Sequence, residues 1–174
     1  MVSEFSEIRA AVPEDIPRCA ELLEILFNQE NEFIPDSEAQ SRGLFLVIHN
    51  PELGRIFVCV VDGIIQGMVM LLFTVSTFLG EKVALLEDMV VAPEWRGHGA
   101  GSLLIDYALE FAREDGVKRI TLLTDRDNEL AQQFYRSKGF TKSEMLVFRS
   151  SLSSFSDQKG DEMQSERLFV QGRD

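Results

Sequence analysis

Between residues 96 and 101 the chain reads Arg96-Gly97-His98-Gly99-Ala100-Gly101, three glycines in five residues, and then enters Ser102 and a helix-periodic apolar run. Glycine is disfavoured inside helices, so a cluster at a helix start marks backbone that needs positive φ or close approach to another group. Successive N–H groups there would line a concavity at the positive end of the helix dipole. Such a concavity suits phosphate oxygens, and Arg96 adds charge at its rim. A flexible turn is the competing reading of the glycines alone. Spacing excludes two nucleotide loops. A Walker loop needs Gly-Lys-Ser/Thr, and no Lys lies between Lys82 and Lys118. A dinucleotide loop needs G-x-G-x-x-G directly after its strand. Counted from Gly97 the third position is Ser102, and Pro93-Glu94-Trp95-Arg96 lengthens the turn.

Other reactive side chains are sparse. Cys19, Cys59, His49 and His98 are too few and too separated for a disulfide framework or a metal cluster, so no metal is expected. Cys59 lies in an apolar run with no base near it in sequence and reads as core. The net charge of −12 argues against nucleic-acid binding, which needs Lys and Arg against phosphates. Residues 1–40 carry ten acids against Arg9 and Arg18, a net of −8. They read first as a solvated face that keeps the chain soluble, and a negative funnel for a cationic amine is a sharper reading compatible with it.

The elements that must hold these residues follow from periodicity. Ser6 to Val12 alternates as a first strand, and Pro13-Glu14-Asp15 opens a helix whose first turn suits Pro and acids. Residues 28–35 form a loop, and a second helix runs from about Asp36 to His49 before Asn50-Pro51. Arg55–Val61 and Ile64–Phe73 flank Asp62-Gly63, a strong hairpin signal, and Val83–Val91 follows as a third consecutive antiparallel strand. After the glycine cluster comes a helix ended by Gly116, a strand over Val117–Thr124, and a short helix over Asn128–Lys138 capped by Gly139. A last strand is expected over Ser143–Arg149. The order β-α-α-β-β-β-α-β-α-β is an α/β fold, one mixed sheet with helices on its faces. The passage from 83 to 125 forces a parallel pair. Residues 1–150 are expected as one domain and 151–174 as a polar tail, with a small edge strand near Leu168-Phe169-Val170. No apolar run is long enough to cross a bilayer, and the N-terminus lacks a secretory pattern, so a cytoplasmic location is expected.

With these elements in place the sequence resembles the GNAT superfamily of N-acetyltransferases. Its Arg/Gln-x-x-Gly-x-Gly/Ala signature at a helix start is met by Arg96, Gly99 and Gly101. Its second signature, an Asn ahead of a helix that ends in a Phe-Tyr-x-x-x-Gly-Phe phrase, is met by Asn128 and Phe134-Tyr135-Arg-Ser-Lys-Gly-Phe140. Ile8 to Ile16 also resembles the family's opening, except that Val12 stands where Thr or Ser commonly caps the helix. The resemblance covers about residues 6–149. Leu86-Glu87-Asp88-Met89-Val90-Val91 ahead of Arg96-Gly97-x-Gly99-x-Gly101 is most similar to the diamine (spermidine/spermine-type) branch.

The resemblance implies transfer of an acetyl group from acetyl-CoA to a primary amine on a small cationic metabolite. Three needs attend that reaction. The ammonium, with a pKa near ~10, must lose a proton. The thioester oxygen needs a donor as it gains charge, and the leaving thiolate benefits from a proton. Glu87 is implied as general base through an ordered water and Tyr135 as general acid. Strand alternation would set Glu87 and Asp88 on opposite faces, with Asp88 facing solvent or serving a structural role. Met89, Val90 and Val91 would bind the pantetheine arm through their backbones, and the N–H of Val90 or Val91 would meet the oxyanion. Arg96, Gly97, His98, Gly99, Ala100, Gly101 and Ser102 would hold the pyrophosphate, with His98 non-catalytic and Trp95 packed beside them. Asn128 would hold the pantetheine or simply cap the last helix. On the acceptor side, Glu30, Glu32 and Asp36 suit a cation, and Phe33 and Ile34 suit an apolar part of it. Acetylation of a protein N-terminus or lysine, and a non-catalytic acyl-CoA sensor, are the rival functions. Oligomeric state is open, a homodimer being common in such families.

Overall fold

Asp62 and Gly63 both take left-handed backbone, with φ of 51° and 78°, the mirror-image turn whose twist matches a β-hairpin. That turn joins β2 (Gly54–Val61) to β3 (Ile64–Ser76), and β3 returns through Gly80 into β4 (Glu81–Val91). β1 (Ser6–Ala10) lies along β2, and β5 (Ile120–Leu122) lies along β4, giving the order β1-β2-β3-β4-β5. The first three pairings are antiparallel. The β4–β5 pairing is parallel, because helix α3 (Ala100–Glu114) makes the crossover. This computed structural model describes residues 6–29, 36–150 and 152, and falls into two units, Met1–Phe140 and Thr141–Asp174. All five strands and the helices below lie in the first.

Alternation along the central strands sends neighbouring residues to two separate cores. Helices α1 (Ile16–Phe27) and α2 (Ser37–His49) cover one face, where Leu22, Leu23 and Leu44 pack with Ile56, Val58, Met68 and Met70. The opposite face takes α3, with Leu104, Ile105 and Ala108 against Phe57, Val69, Leu71 and Leu86. The last helix, α4 (Glu129–Ser137), adds Phe134 and Tyr135 to the second cluster.

The start of α1 shows how the chain does without a Ser or Thr cap at Val12. Asp15, inside the preceding 3-10 turn, accepts the Val12 N–H at 2.8 Å and takes a forked pair of bonds from Arg9 at 2.6 and 3.0 Å. The Arg9 guanidinium is the chief cause that holds the Asp15 carboxyl below its ordinary range, against a smaller opposing effect of burial. A carboxyl whose pKa is lowered by folding stabilises the fold above its unfolded pKa, and loses that contribution as pH falls through the folded value. Asp15→Asn is therefore expected to cost roughly 1–3 kcal/mol at pH 7. The difference from wild type should shrink as pH falls below the carboxylate range, and chemical denaturation at a series of pH values would read it.

Two expected strands differ. The β5 ladder covers three residues rather than Val117–Thr124, because the Val117 N–H bonds the Ala112 carbonyl at 2.9 Å and closes α3 after Gly116, whose φ is 77°. The expected strand over Ser143–Arg149 takes no place in a ladder among the described residues. Its run from Met145 to Phe148 is exposed. An apolar run reports compatibility with a sheet, but a strand forms only where an edge supplies hydrogen-bond partners. The expected edge strand near Leu168-Phe169-Val170 lies outside the described residues.

Candidate active site

The site grows from an irregularity in β4. Glu87 pairs with Met70 and Val90 with Met68, so Asp88 and Met89 stand opposite the single residue Val69. The extra residue makes a β-bulge, and Asp88 takes a φ of 52°, a conformation Asp tolerates better than most residues. On the other side β4 pairs with β5 only from Ala84 to Leu86. From Glu87 to Val91, the edge of β4 that faces β5 therefore has no strand along it among the described residues. The Ala92 N–H bonds the Gln66 carbonyl of β3 at 2.8 Å, which sets the phase of the strand. By alternation the Val90 N–H also points to β3, and the polar groups of Val91 point to the open edge. The Val91 carbonyl accepts the Arg96 Nε–H at 3.0 Å, in agreement with that phase. Val91, rather than Val90, has its N–H available on this edge.

The bulge also changes the expectation for the two acids. Glu87, opposite Met70, shares the face covered by α1 and α2. Asp88 lines a cavity of about 260 Å³ with Met70, Leu23 and Leu44 on the same face. Simple alternation fails here, because the extra residue takes up half a pleat, and neither acid is sent to the opposite side.

At the end of the open edge stands the glycine cluster. Gly97 and Gly99 have φ of 74° and 97°, and Gly99 is the N-cap of α3 with no side chain bonding its first turn. The first-turn N–H groups of any α-helix have no intrahelical acceptor. In α2 the Asp36 Oδ1 accepts two of them, from Glu38 and Ala39 at 3.0 and 3.1 Å, and in α4 Asn128 Oδ1 accepts one, from Ala131 at 3.1 Å. At α3 no described side chain caps those of Ala100, Gly101 and Ser102, an arrangement that suits an anion. His98 Nδ1 lies 2.9 Å from the Arg96 carbonyl oxygen, and its ring meets Trp95 edge-on at 5.9 Å. Sequence reading missed Lys138, whose ammonium bonds Ser102 Oγ and, at 2.6 Å, Asp106 Oδ2 beside that first turn. The only signal was the i, i+4 spacing of Ser102 and Asp106.

Tyr135 on α4 packs edge-on between Phe134 and Phe140, at 5.4 and 5.8 Å. Burial pushes its phenol pKa up, so the hydroxyl keeps its proton through neutral pH. Cys59 is fully buried, and burial raises its thiol as well, as expected of a core residue. Cys19 is likewise buried and its thiol is pushed up to about 12, chiefly by desolvation. Of the acceptor-side residues, Glu30, Glu32, Phe33 and Ile34 lie outside the described residues, and Asp36 is occupied as the cap of α2. Among the described residues no three His, Cys, Asp or Glu side chains gather as a metal site, and no helix is long and apolar enough to cross a membrane.

An uncapped, glycine-lined helix start at the end of a split pair of parallel strands is a specific arrangement. The model of the acetyltransferase (GNAT) family matches residues 19–140. The chain belongs to this family. It is an acyltransferase, and the family's cosubstrate is acetyl-CoA. The GNAT chain is 32% identical over 118 residues to an uncharacterized N-acetyltransferase, YhfO, of Bacillus subtilis (strain 168), covering 66% of this chain and 78% of that one. The crystal structure of a possible acetyltransferase from Clostridium difficile 630 shares the fold with a TM-score of 0.77 at 17% identity, over 86% of this chain and 99% of that one. An aminoglycoside acetyltransferase from an uncultured soil metagenomic sample, solved with trehalose, has a TM-score of 0.71 at 25% identity, over 88% of this chain and all of that one.

Proposed function

We propose that this GNAT enzyme acetylates a primary amine on a small cationic metabolite, with Glu87 as general base through a water and Tyr135 as general acid. The observation that carries the reading is the open edge of β4, which runs from Glu87 through Val91 towards the uncapped start of α3. That edge and helix start fit acetyl-CoA. The backbones of Met89 and Val91 would hold its pantetheine arm, Val90 being turned to β3 instead of the edge the sequence expectation gave it, and residues 96–102 would hold its pyrophosphate. The cosubstrate supplies an activated acetyl thioester, and the protein supplies orientation and proton transfer. Glu87 takes the ammonium proton, and the freed lone pair attacks the carbonyl carbon. Val91 N–H donates to the carbonyl oxygen as it gains charge; as the carbon–sulfur bond breaks the Tyr135 hydroxyl gives its proton to the sulfur, and the second proton of the attacking nitrogen passes to solvent, from which Tyr135 is reprotonated. The Tyr135 hydroxyl forms no hydrogen bond among the described residues, which leaves it free to donate.

Acetyl-CoA consumption measured against polyamines, amino acids, aminoglycosides and peptides tests the reading. Turnover on a small amine is expected, and tight coenzyme binding with no turnover on any acceptor would overturn it. The phosphate cradle has its own test. At a φ of 97° a side chain on residue 99 strains the backbone that aims the first-turn N–H groups. Gly99→Val is expected to weaken coenzyme A binding roughly tenfold or more by calorimetry, a free-energy loss of order 1.4 kcal/mol.

A further inference from the structure

A helix of nine residues is marginal on its own, so contacts with its neighbours decide where α4 sits, and α4 carries Tyr135. Its C-terminal end is closed by the backbone. The Gly139 N–H bonds the Arg136 carbonyl at 3.0 Å and the Phe140 N–H bonds the Tyr135 carbonyl at 3.1 Å, with Gly139 at a φ of 88°. Such a closure brings together the side chains of its outer partners, here the rings of Tyr135 and Phe140. It orients the Tyr135 ring on its own helix, and two further side chains dock that helix on α3. Phe134 and Lys138 stand four residues apart, on one face of α4, and both reach the start of α3. A Cβ at Gly101 would lie 3.9 Å from Phe134 Cζ, and the Lys138 ammonium bonds Ser102 Oγ and, at 2.6 Å, Asp106 Oδ2. The Lys138 side chain is only 15% exposed, and Ser102 Oγ lies 3.5 Å from the same Asp106 oxygen. An ammonium so far withdrawn from water depends on such partners to stay charged in place.

We propose that Lys138 is a positioning residue for acetyl transfer, its bonds to Ser102 and Asp106 tying the helix that carries the acid to the turn that holds the coenzyme; the inference rests on the reading of Tyr135 as that acid. Ser102 is the third residue of α3, and its N–H belongs to the first turn assigned above to the pyrophosphate. One helix therefore anchors the coenzyme, the other protonates its sulfur, and a single ammonium joins the two. The distance from the anchor to the hydroxyl is set by the protein, before the coenzyme arrives. A displacement of about 1 Å between reacting groups costs up to about 10²-fold in rate, so a tie of this kind acts on kcat. Two of the three ammonium donors are already committed to α3, which gives Lys138 its role through Tyr135 and not as a phosphate contact.

Two measurements on the full chain test this. Lys138→Met keeps the apolar stem and removes the charge. With the amine that turns over best, it should lower kcat about 5- to 10-fold and leave the KM for acetyl-CoA within about twofold of wild type. In the Tyr135→Phe background the same substitution should cost nothing further, because no acid remains to be misplaced. Lys138→Arg, which can still pair with Asp106, should recover most of kcat. The second measurement needs no turnover. Amide hydrogen exchange over residues 131–140 should be about tenfold faster in Lys138→Met than in wild type, with α1 unchanged. Unchanged kcat in Lys138→Met, an equal loss in both backgrounds, or a loss that falls on the KM for acetyl-CoA overturns the positioning role while Tyr135 stands as the acid. Unchanged exchange over 131–140 overturns it too, whether or not an amine turns over. Full kcat in Tyr135→Phe, or no turnover on any amine, removes the reading beneath it and the role of Lys138 together.

Discussion

Glu87→Gln is expected to lower kcat by about 10²–10⁴ at pH 7 with coenzyme A affinity unchanged, the range that loss of a positioned base produces. A primary amine near pKa ~10 is free base in only about one molecule per thousand at pH 7. Glutamine keeps the size of the side chain and its place opposite Met70, at the residue where β4 parts from β5, but cannot take a proton. The deficit therefore has a pH signature. As the medium approaches pH 10 the amine arrives already deprotonated, and the variant should close most of the gap to wild type. A structural defect would persist at every pH. Asp88→Asn is the necessary comparison, because the bulge brings Asp88 to the same face of the sheet. Its expected effect falls on the acceptor KM. If Asp88→Asn shows the large, pH-dependent loss of kcat and Glu87→Gln does not, the base is Asp88 and the role of Glu87 is withdrawn.

That comparison marks where the sequence was legible and where it was not. The Asp62-Gly63 turn, the glycines at 97, 99, 116 and 139, and the crossover helix were readable because each is a local constraint. Positive φ, helix termination and chain reach act over a few residues and leave fixed residue types behind. The bulge at Asp88 was not readable. It depends on the register between β3 and β4, where Val69 faces two residues, and no residue type in Glu87-Asp88-Met89 announces it. A single extra residue overturned the alternation argument for the two acids, just past the point where the β4–β5 ladder ends at Leu86. The run at 143–149 takes no place in a ladder among the described residues, which its residue pattern alone could not tell. Lys138 was missed because its contacts are with neighbours distant in sequence. It meets Ser102 and Asp106 across α3.

Removing the Tyr135 hydroxyl is expected to lower kcat roughly 10- to 100-fold, less than the loss at Glu87, because a thiolate with a pKa near that of an ordinary thiol, ~8.5, is already a fair leaving group. Tyr135→Phe keeps the edge-on packing with Phe134 and Phe140, so Tm should hold within about a degree of wild type. Tyr135→Leu gives up that packing as well and should lose both stability and rate. The pair of variants separates a proton donor from a packing residue: equal kcat in wild type and Tyr135→Phe would leave only the packing role. The alkaline side of the pH profile adds an independent sign. Burial disfavours the phenolate, so the wild-type hydroxyl gives up its proton above the ordinary phenol range, and the donor is lost only there. Wild-type kcat should fall at that alkaline limit, whereas Tyr135→Phe, with no proton to lose, should show no such limb. A shared alkaline limb in both proteins would assign the titration to another group and end the case for Tyr135 as the acid.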